Sequence, residues 1–399
     1  MIKELREQFN RDFNDEIFSS FLRRLDDRVR LKIQFRVCET PLFVPKHVQQ
    51  TCEETAVELA LRLHEPEYLA LSDRTLHPKI EVAGQPDHAS FIAVDFAMTY
   101  DTENRIKPML VEIQGFPSLM GYQLFLAELA QEHFALSPDL EYINGGNTRP
   151  QFIDLLRRTV VAHHDPENVI LMDFNPWHQK TCPDFYAIKE LLGIEVIDIR
   201  HIVKQGKHLF YKNENGSLIP ISRIFNRSIV DELEREQVAI PFNWNDDLYV
   251  EWAGHPNWFF RISKFSSPYL DHPLVPSSWF LHELDEYPEP LDRYVLKPLF
   301  SFAGSGVIIG PTRDDLDAIP EDKRSNYLLQ ERIDFAGVVD TPYGGTRAEF
   351  RVMLLWPPED EQPRPVMGLM RMGRGDKMGV DQNTDMRWIG ASCNFFPPE

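Results

Sequence analysis

The stretch "SFIAVDFAMTYDTENRIKPMLVEIQGF", residues 90–116, does most to limit how this chain can fold. Apolar and polar residues alternate on either side of a polar turn, "DTENRIK", and a period of two marks strands with unlike faces. A β-hairpin is predicted, with Asp95 on one strand and Glu112 on the other. Glu112 and Gln114 are two residues apart, so both leave one face while Val111 and Ile113 leave the other. A carboxylate and an amide oxygen side by side suit a hard cation such as Mg²⁺, with Asp95 completing the set. The plainer alternative is an exposed polar hairpin face.

Around the hairpin the period changes. Residues 1 to about 80 read as mainly helical, including "CEETAVELALRLHEPEYLALS", whose apolar spacing fits an amphipathic helix. Another helix is predicted at "SLMGYQLFLAELAQEHF". From residue 168, "NVILMDF", "CPDFYAIKELLG", "IEVIDIR" and "ISRIFNR" suggest β-α-β order, the mark of a small α/β domain. The chain is expected to be α/β or α+β, in segments 1–160, 161–255 and 256–399. The 399 residues show no repeat and no low-complexity tract.

Composition narrows the function classes. A net charge of −20 disfavours a nucleic-acid or anionic-membrane surface, so any phosphate site must be a local positive pocket. The four cysteines, Cys38, Cys52, Cys182 and Cys393, lack zinc-like spacing and are expected as reduced thiols. The charged N-terminus lacks a signal-peptide core and no apolar run reaches membrane-spanning length, which predicts a cytoplasmic protein. Oligomeric state is not legible.

In "YVLKPLFSFAGSGVIIG", residues 294–310, Lys297 stands where an apolar strand meets a small-residue loop, and a second apolar strand follows. Glycines let backbone N–H groups approach an anion, and a lysine beside them adds charge; the alternative is a hairpin with a solvent-seeking lysine. "YLLQERIDF" puts Gln330 and Glu331 at a strand end, and "TRAEFRVMLLW" puts Glu349 and Arg351 on one strand face. The tract "MGLMRMGRGDKMGVDQNTDMRWIGAS" offers Arg371, Arg374 and Asn383 in what reads as a loop able to close over a substrate. Trp177, His178 and Trp258 fit a carbohydrate or peptide binder or, equally, packing and capping. The pair His163-His164 reads as a surface feature.

The order Lys264 in "FRISKFSSPYL", Lys297 in "VLKPLFSFAGSGV", "LLQERI" and "RAEFRV" resembles the nucleotide-binding half of the ATP-grasp superfamily. In that family the metal-binding half normally follows. Here its look-alike, Asp95 with "EIQ" at 112–114, comes first, which resembles the circularly permuted members typified by glutathionylspermidine synthetase, synthetase part only. Segment 161–255 is then similar to the small domain that precedes the grasp. The resemblance implies an ATP- and Mg²⁺-dependent, ADP-forming ligase that joins a small-molecule or peptide carboxylate to an amine through an acyl-phosphate. It implies Lys264 and Lys297 on the phosphates, a lid including Ser301, Gly304, Ser305 and Gly306, and an adenine hinge at Gln330, Glu331 and Ile333. Glu349 and Arg351 would meet ribose or phosphate, and Asp95, Glu112 and Gln114 the metal. Arg371, assisted by Asn383, would hold the acyl-phosphate or substrate carboxylate. Gln114 stands where the family has asparagine. A phosphotransferase and a non-catalytic nucleotide-binding protein remain as alternatives.

Overall fold

The computed structural model describes residues 1–76, 81–300, 306–375, 378 and 385–398. Phe91–Tyr100 pairs antiparallel with Ile106–Gln114, and Asp95 stands directly opposite Glu112. One step on, Phe96 faces Leu110, which leaves Val111 without a cross-strand partner. This bulge breaks the expected alternation: Val111 borders the same cavity as Glu112, while Ile113 stays buried.

Beyond Phe91–Tyr100 the sheet continues through Gly344–Leu355, Arg364–Gly373 and Gly390–Ser392, each pair antiparallel. Two distant parts of the sequence thus share one central sheet. Ile92, Val94, Phe96, Val352 and Leu354 pack one face into a core with the helix Lys46–Arg62. Met353, Leu355 and Met367 pack the opposite face with the helices Asp15–Val29, Met120–His133 and Arg149–Val160. The period of two then puts Glu349, Arg351 and Arg371 on that second face, where they border a cavity.

Two expectations change. The run 52–72 does not form one helix: Lys46–Arg62 ends and a second helix, Pro66–Ser72, begins with Pro66 in its first turn. Proline has no N–H to donate and its ring clashes with the preceding turn, so it can start a helix but not continue one. The tract from Met367 is not all loop, since Arg364–Gly373 is a strand whose Met370 and Met372 are buried in the first core.

Residues 169–253 build a parallel sheet, ordered Glu251–Ala253, Arg223–Asn226, Val169–Asp173, Glu195–Asp198, with the helix Cys182–Leu192 joining the last two strands named. A third sheet is antiparallel, ordered Ser278–Phe280, Tyr327–Glu331, Tyr294–Pro298, Ile308–Ile309. Leu296 pairs with Ile308, so the strand pair read around Lys297 is present. Gly306 leads into the second of these strands at φ 71°, and a Cβ there would fall 2.9 Å from Pro298 Cγ. Segment 256–399 is therefore divided between the central and third sheets. Among the described residues no helix is long and apolar enough to cross a membrane. All four cysteines are buried free thiols, and burial pushes Cys38 and Cys393 up to about 12.

Candidate functional site

The central and third sheets meet around a cavity of about 490 Å³. Asp95, Glu112, Gln114, Lys264, Lys297, Gln330, Glu331, Ile333, Glu349, Arg351 and Arg371 all line it. The hairpin carboxylates and Lys297 thus face one space despite their separation in the sequence. Ser301, Gly304, Ser305 and Asn383 lie outside the described residues. Gly306 is described and does not line the cavity.

Strand register dictates the polar network at the floor. Arg351 stands opposite Asp95, and Glu349 opposite Arg371. Arg351 grips Asp95 with two hydrogen bonds, Nε to Oδ1 and Nη2 to Oδ2, both 2.6 Å. Its Nη1 donates to Ser118 Oγ at 3.1 Å. Arg371 also donates to Asp95 Oδ2 and lies 2.5 Å from Glu349 Oε1. Both oxygens of Asp95, expected on a metal, are therefore committed to guanidinium groups, and Arg351, expected on ribose or phosphate, is committed to Asp95. The physical reason is burial: with the side chain 1% exposed, an ionised carboxylate needs partners within the protein. Burial alone would raise Asp95, but Arg351 and Arg371 hold it below the ordinary carboxylate range. Glu349 goes the other way, up to about 7, because burial outweighs Arg371 and the charge of Asp95 adds to the cost of ionisation.

Opposite stands Lys297 on the third sheet. Its Nζ donates to Gln330 Oε1 at 2.5 Å and to the Val111 carbonyl at 3.2 Å. The bulge in the hairpin supplies that carbonyl. Burial brings Lys297 down to about 8, although Glu112 and Glu349 favour its charge. Lys264 Nζ lies 3.3 Å from Glu112 Oε1. Gln330, read as part of a base-binding hinge, instead spends its side-chain oxygen on Lys297. Glu331 pairs its N–H with the Ser277 carbonyl at 2.8 Å, and no hydrogen bond to Ile333 is present among the described residues.

The lining holds six basic and five acidic side chains, a slight local excess of basic groups in a chain of net charge −20. Arg371 Nε is buried without a hydrogen-bond partner among the described residues, which leaves a donor for an anion. Arg347 also lines the cavity and was missed. It is two residues before Glu349 on the same strand, so the period of two could have found it. Phe259 and Ser263 line it too, with no sequence signal beyond nearness to Lys264. Arg374 is structural, donating to Thr346 Oγ1 at 3.1 Å and to the Arg387 carbonyl at 2.5 Å. Trp258 is core.

A scan against protein-family models and a search of the curated proteins found no match. Among solved structures, the chain is similar to a glutathione synthetase-like effector from Globodera pallida in its apo form, with a TM-score of 0.59 and 12% identity over 97% of this chain and 98% of that one. The two share an overall fold. A protein from Methylobacillus flagellatus KT, provisionally named a γ-glutamylcysteine synthetase, aligns over 89% of both chains at 13% identity, with a TM-score of 0.38 that is too low to support a common fold.

Proposed function

We propose that the chain is an ATP-dependent, ADP-forming carboxylate–amine ligase on a circularly permuted ATP-grasp fold, with 161–255 as the small domain between its two halves. The observation that carries the proposal is the single cavity where Lys297 and Lys264 face Glu112 and Gln114. The fold shared with a glutathione synthetase-like protein supports it.

On this reading Lys297, on the third sheet, and Lys264, in the helical turn Lys264–Tyr269, meet the phosphates of ATP, and the lid role read for 301–306 falls largely outside the described residues. The N–H of Ile333 meets the base, beside Glu331. Glu112 and Gln114 offer the oxygen donors that Mg²⁺ prefers, which makes the residues present compatible with that ion. When bound it would neutralise phosphate charge. Asp95 joins that set only by releasing a guanidinium, so we assign it first to holding Arg351 and Arg371 in place. Arg371, with its unpartnered Nε, orients the substrate carboxylate toward the γ-phosphoryl group. Asn383 assists from the segment outside the described residues. An amine then attacks the acyl-phosphate, and phosphate leaves. Positioning and charge stabilisation do most of this work.

Phosphate release from ATP, screened against pools of amino acids, peptides and polyamines, tests the proposal. Release that needs both a carboxylate and an amine supports ligation, whereas transfer to a single acceptor would indicate a phosphotransferase. The occupied Asp95 and the glutamine at 114 favour one second reading, a protein that binds nucleotide without turning it over. Tight ATP binding with no phosphate release in any mixture would select it.

A further inference from the structure

A cluster unconnected with the cavity stands at the edge of the parallel sheet. The helix Arg149–Val160 ends in a turn, and His163 and His164 follow directly with ring centroids 4.0 Å apart. Glu251, on the edge strand Glu251–Ala253, reaches them from far along the chain. His163 Nε2 lies 3.8 Å from Glu251 Oε1, and His164 Nε2 lies 3.1 Å from Oε2. One ligand atom from each residue falls within 4.8 Å of the others.

These separations are informative. Zinc bonds to nitrogen and oxygen are about 2.0–2.1 Å, so neighbouring ligand atoms of a tetrahedral site are about 3.3–3.4 Å apart. The separations of 3.1 and 3.8 Å, each from one imidazole nitrogen to one oxygen of Glu251, are of that size. His164 Nε2 is inaccessible to solvent and stands 3.1 Å from Glu251 Oε2. A metal needs only the lone pair.

The carboxylate is also held in place. Arg223 donates Nη1 to Glu251 Oε2 at 2.6 Å, while its Nε and Nη2 bind the carbonyls of Val160 and Thr159 at 3.0 and 3.1 Å. The same guanidinium therefore ties the helix end to Glu251 and leaves Oε1 toward His163. Such support of a ligand by a neighbouring group is typical of metal sites, although here the charge of Arg223 tempers affinity for a dication.

We propose that His163, His164 and Glu251 form a surface site for one borderline divalent transition ion of the Zn²⁺ type. Two imidazoles and one carboxylate select such an ion over Mg²⁺ or Ca²⁺, which prefer all-oxygen shells. With three protein ligands, a fourth position is left for water or an exogenous group. Bound there, the ion clips the connection after the helix Arg149–Val160 to the edge of the parallel sheet.

Calorimetric titration of Zn²⁺ into the untagged, chelator-treated full chain tests this, alongside the visible spectrum with Co²⁺. One equivalent should bind, and Co²⁺ should give the intense bands of a four-coordinate site. His163→Ala should weaken binding at least tenfold and remove those bands. His163 is exposed, with its side chain 74% accessible, so this variant tests the site without threatening the fold. Glu112→Gln, in the cavity, should bind Zn²⁺ at this site as wild type does, which keeps this result separate from the nucleotide site. Absence of binding by the wild type, or unchanged affinity in His163→Ala, would overturn the proposal.

Discussion

Replacing Asp95 by asparagine probes how the charges around the cavity are balanced. The side chain is 1% exposed and accepts hydrogen bonds from Arg351 and Arg371, so Asp95→Asn leaves two guanidinium groups facing a neutral amide. Breaking a buried ion pair from one side costs about 3–5 kcal/mol, since the remaining charge is stranded. Asparagine still accepts one bond, which points to about 3 kcal/mol, read as a lower urea midpoint at pH 7. The pH dependence gives a sharper test. The pKa of Asp95 is depressed on folding, so its contribution is present above the unfolded value of about 4 and is lost as pH falls through the folded value. The gap between wild type and variant should therefore shrink on acidification. An equal midpoint at pH 7, or a gap that does not change into the acid range, would refute the assignment of Asp95 to the arginines. Full stability with abolished turnover would return it to the metal set.

Lys297→Ala removes a charge aimed into the cavity and should weaken ATP affinity by about 1.5–3 kcal/mol in calorimetry, the worth of a charge-assisted hydrogen bond. Glu112→Gln keeps the shape and should lower phosphate release far more than nucleotide affinity; turnover equal to wild type would remove Glu112 from the metal set. Asp173, at the end of a strand of the parallel sheet, is pushed up to about 7 by burial, with Glu232 adding to the shift and Arg227 opposing it. Its protonated form is favoured on folding, so that stability is present below about pH 4 and is lost as pH rises through about 7. Asp173→Asn should flatten this decline in urea denaturation across the same window.

What the sequence made legible was what repeats locally. Alternation located the hairpin and the strand carrying Glu349 and Arg351, because a period of two survives whatever the strand packs against, and an apolar run ending at small residues located the strand carrying Lys297. Reading by type and position also brought most of the polar cavity-lining residues into view. Three of the features that escaped it show why. The bulge at Val111 depends on how two strands register, and neither strand alone encodes it. The break at Pro66 was visible as a residue but was outweighed by the apolar spacing on either side. The commitment of Asp95 to Arg351 and Arg371 is long-range, so a carboxylate readable as a metal ligand proved to be one side of a buried ion cluster.

That cluster continues toward the parallel sheet. Asp184 is fully buried and accepts from the N–H groups of Gly121 and Tyr122 at 2.9 and 3.1 Å, which caps the start of the helix Met120–His133. Its second oxygen accepts from Arg227 at 2.6 Å, and Arg227 donates to the Ser118 carbonyl at 3.4 Å. Ser118 Oγ in turn accepts from Arg351, which holds Asp95. The loop between the hairpin and that helix is thus tied to both sheets through one serine. Asp95 and Asp184 are each matched by an arginine already committed to other groups, an arrangement that fixes side chains where an unpaired charge would be costly. Lys297 and the Nε of Arg371 differ: both belong to basic residues lining the cavity, and among the described residues the lysine is hydrogen-bonded to an amide and a carbonyl while the Nε has no hydrogen-bond partner. With Asp95 and Asp184 neutralised from within the fold, a bound phosphate or carboxylate would give Lys297 and that Nε an anionic partner of their own.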